Sequence, residues 1–345
     1  MSARKYVLSL TAVLYLFMIL SLALWYGEVK AGFTQGDLQR MGSFTYSKPL
    51  TEEIHYPKHH TEFSDCTGSE SFDVITVGDS FMNGTDGGSF PDCLTNEYGL
   101  RVLNARFVNH SLGDLYILLN SGILDEVRPK AVILESVERE VQIRLGEQIV
   151  KVSDYTEAVP FMAQGAPNIL RGIFPPVMIQ ANLKYIFSKV YHFFKPEKLS
   201  PEVYITELDR PFFTNPGQER TLIHYYEDLD YLTAPLNIGM VNQNLNNAAR
   251  LLKAIGISLI FFAAADKYDL YYPYIKDKKA RPQNPFFPAF RQVTDREYIF
   301  VDTMKILREA LERGEQDIYW FGDTHWSHKG IKLVCDELVK YIHGR

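Results

Sequence analysis

The chain has 345 residues, with 36 lysines and arginines against 42 aspartates and glutamates, and its formal net charge is −6. This balance argues against a nucleic-acid partner, because neutralising phosphates requires clustered cations. Hydrophobic residues make up 46% of the chain, enough for a sizeable core. One large domain, or one domain with an insertion, is therefore expected after the N-terminus.

The N-terminal segment contains no charged residue from Tyr6 to Gly27. A helix of that length would span roughly 33 Å, enough to cross the hydrocarbon core of a bilayer. Two basic residues precede it, which predicts a single-pass anchor at 1–27 in the inner (cytoplasmic) membrane. The N-terminus would then be cytoplasmic and the remaining chain periplasmic or extracellular. A cleaved signal peptide is the alternative, because small residues follow at a suitable spacing.

Residues 28–71 are polar and irregular, and we predict that they form a connector. Its HYPKHH stretch at 55–60 has no carboxylate or cysteine at a usable ligand spacing, which favours solvated histidines over a metal site. Cys66 and Cys93 flank the first predicted strand and are expected to form a disulfide, with Cys335 left as a buried thiol. Two unpaired cysteines are the alternative.

Short apolar runs alternate with helical stretches from Phe72 onwards. Several runs are continuous, as in strands that are buried on both faces of a parallel sheet. The predicted strands are Val74–Val77, Val102–Phe107, Ala131–Val137, Ser258–Ala264 and Ile299–Val301, and the predicted helices lie within 112–127, 237–256, 303–314 and 327–343. This alternation predicts a three-layer α/β/α domain over residues 72–345.

Residues 143–235 interrupt the alternation and are rich in proline and aromatic residues. We predict a helical insertion there, with one helix at 177–194, that packs on its own domain. The aromatic and lysine residues of that helix leave two alternatives open, a position on the membrane surface and a polysaccharide groove.

Two motifs carry the candidate chemistry, VITVGDSFMNG at 74–84 and YWFGDTHWSHKG at 319–330. The first follows a predicted strand, and the second follows Ile318-Tyr319-Trp320 and leads into the last predicted helix, so both can reach the carboxyl ends of the strands, where open parallel sheets bind ligands. A serine hydroxyl is a weak nucleophile until a base removes its proton, and His325 can supply that base for Ser80. Asp323 can accept the other imidazole N–H. His328 is expected to be solvated or to face substrate.

These motifs, together with VILESVERE at 132–140 and FFAAADKYDLYYPY at 261–274, resemble the SGNH hydrolase-like superfamily. The resemblance is closest to its branch of alginate O-acetylation proteins of the AlgX/AlgJ type, and it covers about 72–343 apart from the insertion. In this chain the serine motif precedes the Asp-x-His motif, as in ordinary SGNH esterases, whereas that branch has the reverse order. The resemblance implies an SGNH-like fold.

Residue roles follow from the resemblance. It implies that Ser80 is the nucleophile, His325 the general base and Asp323 its orienting partner. The oxyanion hole would use the backbone N–H groups of Ser80 and Gly113, with Asn109 as a further donor.

The resemblance also implies substrate-binding residues and a function. Arg139, Lys267 and Trp326 would bind substrate, and for the first two a salt bridge at the sheet rim is the alternative. No metal or other cofactor is expected. The implied function is O-acetylation of a polysaccharide or cell-wall glycan, with acetyl groups delivered by an MBOAT-type membrane protein. A carbohydrate acetylesterase and a non-catalytic glycan-binding subunit of an export complex are the alternatives, and the intact Ser–His–Asp set counts against the second.

Overall fold

A computed structural model describes 2–30, 36–42, 44, 48, 50, 54–66, 70–82, 88–105, 112–146, 188–228, 236–278 and 282–343. The helices are α1 (Ala3–Lys30), α2 (Asp37–Gly42), α3 (Phe90–Tyr98), α4 (Leu112–Ser121), α5 (Ile123–Val127), α6 (Val141–Leu145), α7 (Ile238–Ala254), α8 (Lys267–Tyr271), α9 (Phe286–Arg291), α10 (Thr303–Glu312) and α11 (His328–Ile342). The strands are β1 (Thr61–Glu62), β2 (Val74–Val77), β3 (Val102–Ala105), β4 (Ala131–Val137), β5 (Val203–Glu207), β6 (Thr221–Tyr225), β7 (Ser258–Ala264) and β8 (Ile299–Phe300).

Six strands form a parallel sheet in the order β1-β3-β2-β4-β7-β8. Every residue of β2, β3 and β4 is buried, as expected for strands covered on both faces. The α/β class and the parallel sheet are therefore confirmed. From β2 the chain moves outwards to β3 and then returns past β2 to β4. This reversal creates a switch point between β2 and β4, the place where open α/β sheets bind ligands.

The predicted elements agree closely with the structure where the pattern was continuous. β2, β4 and β7 have the predicted bounds, and β8 ends one residue early. The helix predicted over 112–127 is divided into α4 and α5 at Gly122, whose φ of 78° interrupts the helix. α3 was not predicted, although Ser89 caps it by accepting a hydrogen bond from the backbone N–H of Asp92.

The N-terminal helix α1 is long and apolar enough to cross a membrane, and none of its span Ala3–Leu20 is buried against the rest of the chain. A signal sequence would have the same length and composition. Membrane insertion and topology therefore stay predictions.

The region predicted to be a connector contributes to the domain. β1 pairs with β3 at the edge of the sheet, and Tyr56 is buried in the core. The prediction that the histidines are solvated is wrong for His60. Its ring is largely buried and forms hydrogen bonds with Asp92 and Glu62.

The described part of the predicted helical insertion contains strands as well as a helix. Residues 188–194 are helical, but β5 and β6 form an antiparallel hairpin, with Ile205 opposite Ile223. Val203 on β5 and Leu222, Ile223 and His224 on β6 are buried. The rest of the predicted helix at 177–194 lies outside the described residues.

The cysteines do not form the predicted bridge. Cys66, Cys93 and Cys335 are all free thiols, which corresponds to the unpaired alternative. Cys335 on α11 is fully buried, as predicted. Cys93 on α3 interacts with Cys335, and their hydrogen bond lowers the pKa of the Cys93 thiol.

Candidate active site

Ser80 lies three residues beyond the end of β2, at the switch point of the sheet, and its side chain is exposed. The turn before it depends on Gly78. A Cβ atom at that position would lie 2.4 Å from Oε2 of Glu135 and 2.7 Å from Cγ of Met82. Only glycine therefore allows the turn to approach β4 this closely.

Asp79 holds the serine turn against β4. Its Oδ1 accepts a hydrogen bond from the backbone N–H of Phe81 at 3.0 Å, and its Oδ2 accepts one from Val137 at 3.1 Å. Arg144 on α6 forms an ion pair with the same carboxylate. Burial opposes ionisation, but Arg144 and these backbone donors together lower the pKa of Asp79. The Gly-Asp-Ser motif marks Asp79, but its anchoring role was not inferred.

Glu135 completes this anchor from the middle of β4. Its Oε2 accepts a hydrogen bond from the backbone N–H of Asp79 at 2.8 Å. Burial, with repulsion from the Asp79 carboxylate, raises the pKa of Glu135 well above its usual value. The available signal was an acidic residue inside an otherwise apolar strand.

The structure brings the three predicted catalytic side chains into one relay. His325 Nε2 lies 2.7 Å from Oγ of Ser80, and His325 Nδ1 lies 2.6 Å from Oδ1 of Asp323. The same Oδ1 accepts the backbone N–H of His325 at 2.9 Å. Because an ionised carboxylate only accepts, Nδ1 carries the proton and Nε2 is left to accept the serine proton.

Electrostatics favour a basic imidazole and an ionised aspartate. Burial opposes both charges, but the hydrogen bond and opposite charge of Asp323 raise the pKa of His325. The same contact lowers the pKa of Asp323. The relay therefore has the geometry and the charge distribution of a serine nucleophile with its general base.

Asp37, at the start of α2, is a fourth member that sequence reasoning missed. Its backbone N–H donates to Oδ2 of Asp323 at 3.0 Å, and its Oδ1 accepts the backbone N–H of Thr324 at 2.8 Å. Its Oδ2 lies 3.7 Å from Nδ1 of His325. Burial and repulsion from Asp323 raise the pKa of Asp37. No local signal marks it, because 286 residues separate it from Asp323.

Close backbone contact positions α2 on the histidine loop, the segment 320–326 that carries Asp323 and His325. A Cβ atom at Gly36 would lie 2.1 Å from the carbonyl oxygen of Gly322. The same carbonyl accepts a hydrogen bond from the backbone N–H of Gln39 at 3.0 Å. The absence of a side chain at Gly36 thus allows the start of α2 to approach the backbone of the loop.

Lys267, which was predicted to bind substrate, supports the backbone of the histidine loop. Its ammonium donates to the backbone carbonyls of Trp320, Phe321 and Asp323 at 2.7 to 2.9 Å. The side chain is fully buried, and this burial lowers the pKa of Lys267 to about 7. These contacts make it a positioning residue for the loop, and a contact with substrate stays a prediction.

The other two predicted substrate residues are also engaged within the protein. Arg139 Nη1 donates to Asp266 at 2.5 Å and to Asp228 at 3.3 Å, which corresponds to the salt-bridge alternative. Trp326 is 2% exposed, and its indole N–H donates to Oη of Tyr319 at 2.9 Å. Neither residue presents a polar group to Ser80 through these contacts, and their substrate roles stay predictions.

Three further residues were predicted to lie at or near the site: Gly113, Asn109 and His328. Gly113 lies in the first turn of α4, which follows β3 at the same edge of the sheet. Asn109 lies outside the described residues. His328 is buried rather than solvated, because its ring packs edge-on against Tyr56 and Trp320.

Two groups of side chains have metal-ligand spacing in the described part of the chain: Asp37, Asp323 and His325, and Glu138, Asp266 and Asp269. In the first group both ring nitrogens of His325 already have hydrogen-bond partners, Asp323 and Ser80. That group is therefore better suited to proton transfer than to metal binding.

No family model, curated protein or solved structure matches this chain. The geometry of the chain's own residues is therefore the basis for its proposed function.

Proposed function

We propose that this protein is a membrane-anchored, extracytoplasmic serine acyltransferase of the SGNH type that O-acetylates a cell-surface or exported polysaccharide. One observation carries the proposal: the continuous relay from Ser80 through His325 to Asp323, with distances of 2.7 and 2.6 Å. A glycan-binding or structural protein would have no need of an exposed serine whose proton is accepted by an oriented imidazole.

In the first half-reaction, His325 Nε2 takes the Ser80 proton as Oγ attacks the acetyl carbonyl carbon. Collapse of the tetrahedral intermediate breaks the bond to the leaving oxygen, which receives that proton from His325. In the second half-reaction, a sugar hydroxyl gives its proton to His325 and attacks the acetyl-Ser80 carbonyl. Collapse then releases the acetylated sugar, and the imidazolium returns its proton to Ser80. Asp323 stabilises the imidazolium in both halves.

The negative oxygen of each tetrahedral intermediate requires donors that are already in place. We assign this role to the backbone N–H groups of Ser80 and Gly113, with Asn109 as a further donor. Loss of one such donor typically costs about 3 kcal/mol of transition-state stabilisation. The first turn of α4 supports this assignment because it follows β3, the strand beside β2.

Hydrolysis of the same acyl-enzyme is the competing function. The exposed side chain of Ser80 favours it, because water can reach the ester as readily as a sugar hydroxyl. Transfer requires that a bound glycan compete with water, and Arg139, Lys267 and Trp326 are the residues proposed for substrate contact.

The proposed location follows from α1, which is apolar enough to span a bilayer. Arg4 and Lys5 precede the apolar span and favour a cytoplasmic N-terminus, with the site outside the inner membrane. An acetyl donor would then have to cross the membrane, which is the role proposed for an MBOAT-type partner. A reporter fused after residue 40 should be active only outside the cytoplasm.

The decisive experiment incubates the purified full-length protein with p-nitrophenyl acetate, with and without an oligosaccharide acceptor. Free acetate and the mass of the acceptor are followed together. Transfer predicts an acceptor heavier by one acetyl group, whereas esterase activity predicts acetate alone. If neither appears at a rate above that of Ser80→Ala, the protein does not transfer or hydrolyse acetyl groups from this donor.

A further inference from the structure

A second group of carboxylates lies at the same edge of the sheet, between β4 and β7. Glu138 follows the last residue of β4, while Asp266 precedes α8 and Asp269 lies within it. One carboxylate oxygen of each residue lies within 4.8 Å of one from each of the others. All three side chains are at most 2% exposed.

In each of these carboxylates, one of the two oxygens accepts a hydrogen bond from the protein. Glu138 Oε2 accepts the backbone N–H of Asp266 at 2.9 Å, and Asp269 Oδ1 accepts that of Asn284 at 2.7 Å. Asp266 Oδ1 accepts the guanidinium of Arg139 at 2.5 Å. The carboxylates are therefore fixed in orientation by donors on separate elements.

The second oxygen of each carboxylate has no hydrogen-bond partner among the described residues. These atoms are Oε1 of Glu138, Oδ2 of Asp266 and Oδ2 of Asp269, and all three are buried. A buried carboxylate oxygen without a donor is costly, and three in one cluster are unusual for a native protein. The arrangement leaves three acceptors and supplies no protein donor for them.

Charges within the cluster do not balance. Asp228 joins the three carboxylates through Arg139, which lies between it and Asp266. Arg308 also lies near the cluster, but its guanidinium donates to the backbone carbonyl of Asp269 rather than to a carboxylate. If all four carboxyl groups are ionised, two guanidinium groups face four negative charges, and one divalent cation would balance the difference.

The adjacent lysine does not supply the missing charge. Lys267 follows Asp266 in the chain, but its ammonium is held by three backbone carbonyls of the histidine loop. Arg291, which also lies near Glu138, is paired with Asp302 through two hydrogen bonds.

We propose that Glu138, Asp266 and Asp269 bind a hard divalent cation, Ca²⁺ or Mg²⁺. The ligand set consists of oxygen alone, which suits these ions and disfavours softer metals that select sulfur or imidazole. Ligands of one Ca²⁺ at about 2.4 Å can be separated by at most about 4.8 Å, so the spacing of the cluster fits a single ion. The site is separate from the proposed chemistry at Ser80 and does not depend on it.

The ion would have a structural role. It would join the turn after β4 to the start of α8, two segments at neighbouring strand ends. Because α8 carries Lys267, the same ion would steady the lysine that supports the histidine loop. Folding and metal binding are then linked, and the ion is taken up as the buried site forms.

The test measures metal in the full-length protein, purified in detergent without chelator and desalted into metal-free buffer. Elemental analysis should find about one Ca²⁺ or Mg²⁺ per chain. Removal of the ion by EDTA during partial unfolding should lower Tm by about 5 °C or more, and CaCl₂ or MgCl₂ alone should restore it.

Isosteric variants locate the ion. Glu138→Gln and Asp269→Asn should each reduce the metal content at least tenfold and abolish the response of Tm to EDTA. Glu309→Gln, which removes an exposed carboxylate on α10, is the matched control and should change neither value. Asp323→Asn should also retain the ion, because it alters only the other group of possible ligands.

Three results would overturn the proposal. The first is wild-type protein that contains no divalent ion after folding with CaCl₂ or MgCl₂ and shows no change of Tm. The second is an ion lost from Asp323→Asn but kept in Glu138→Gln, which would locate it at the relay. The third is an ion that is retained by both Glu138→Gln and Asp269→Asn, which would locate it outside this cluster.

Discussion

Two histidines in this protein are each bound to an aspartate through Nδ1, and they differ in what the other ring nitrogen contacts. His60 Nδ1 lies 2.8 Å from Oδ1 of Asp92, and its Nε2 lies 3.0 Å from Oε1 of Glu62. His325 Nδ1 lies 2.6 Å from Oδ1 of Asp323, and its Nε2 lies 2.7 Å from Oγ of Ser80.

The partner of Nε2 decides what each ring can do. Burial opposes protonation of His60, but hydrogen bonds to Asp92 and Glu62 raise its pKa to about 9. The ring is therefore an imidazolium at pH 7 and cannot accept a proton. His325 has a hydroxyl at Nε2, so its free base can take a proton there. A histidine–aspartate pair alone does not define a general base.

The largest expected effect comes from removing the hydroxyl or the base. Ser80→Ala and His325→Ala should each lower kcat/KM for acyl transfer or ester hydrolysis by about 10⁵-fold, and the double variant should be scarcely worse, because both residues act on one proton. Ser64→Ala, which changes an exposed serine bonded to Asp65, is the control. Ordinary turnover by folded Ser80→Ala would show that the relay is not catalytic.

Asp323→Asn should have the next largest effect, a loss of about 10³- to 10⁴-fold, because the amide cannot stabilise the imidazolium. The dependence of kcat/KM on pH tests independently whether Asp323 raises the pKa of His325. The pKa of His325 is raised above its usual 6.5, so kcat/KM of the wild type should fall as pH decreases through a value above 6.5. In Asp323→Asn the pH at which kcat/KM falls should be lower by about one unit or more.

If kcat/KM of Asp323→Asn falls at the same pH as that of the wild type, Asp323 does not set the basicity of His325. Measurements of kcat/KM from pH 5 to 9 on both proteins decide this. Circular dichroism provides the control that both remain folded.

Much of this site could be predicted from the sequence, because short local motifs contain its catalytic residues. Gly-Asp-Ser lies just beyond the end of β2 and Asp-Thr-His just before α11, and ligands of an open parallel sheet bind beyond the carboxyl ends of its strands. Asp37 was not readable, since it reaches Asp323 across 286 residues. The burial of His60 was also missed, because its partner Asp92 lies on α3, a helix with no strong apolar period.

Asp37→Asn should cost about tenfold in kcat/KM, less than Asp323→Asn. The variant removes a carboxylate 3.7 Å from Nδ1 of His325 but keeps an acceptor for the backbone N–H of Thr324. The pH at which kcat/KM falls should also be lower in this variant, because the charge of Asp37 raises the pKa of His325 as well. A loss as large as that of Asp323→Asn would make Asp37, rather than Asp323, the principal partner.

The smallest effect on activity is expected at His60, which tests the other half of the comparison. His60→Gln should leave kcat/KM unchanged and lower the free energy of unfolding by about 2 kcal/mol at pH 5.5. The pKa of His60 is raised on folding, from 6.5 to about 9. Its stabilising contribution is therefore complete below pH 6.5 and disappears as pH rises through about 9.

The difference in unfolding free energy between wild type and His60→Gln should accordingly shrink between pH 7 and pH 10, measured by denaturant titration in detergent. His59→Gln is the matched control, because that ring is largely exposed and lies 3.7 Å from the same aspartate. A pH-independent difference would mean that His60 stabilises the fold by packing alone. A loss of activity in His60→Gln would show that the two histidine–aspartate pairs are coupled, contrary to the separation argued from their contacts.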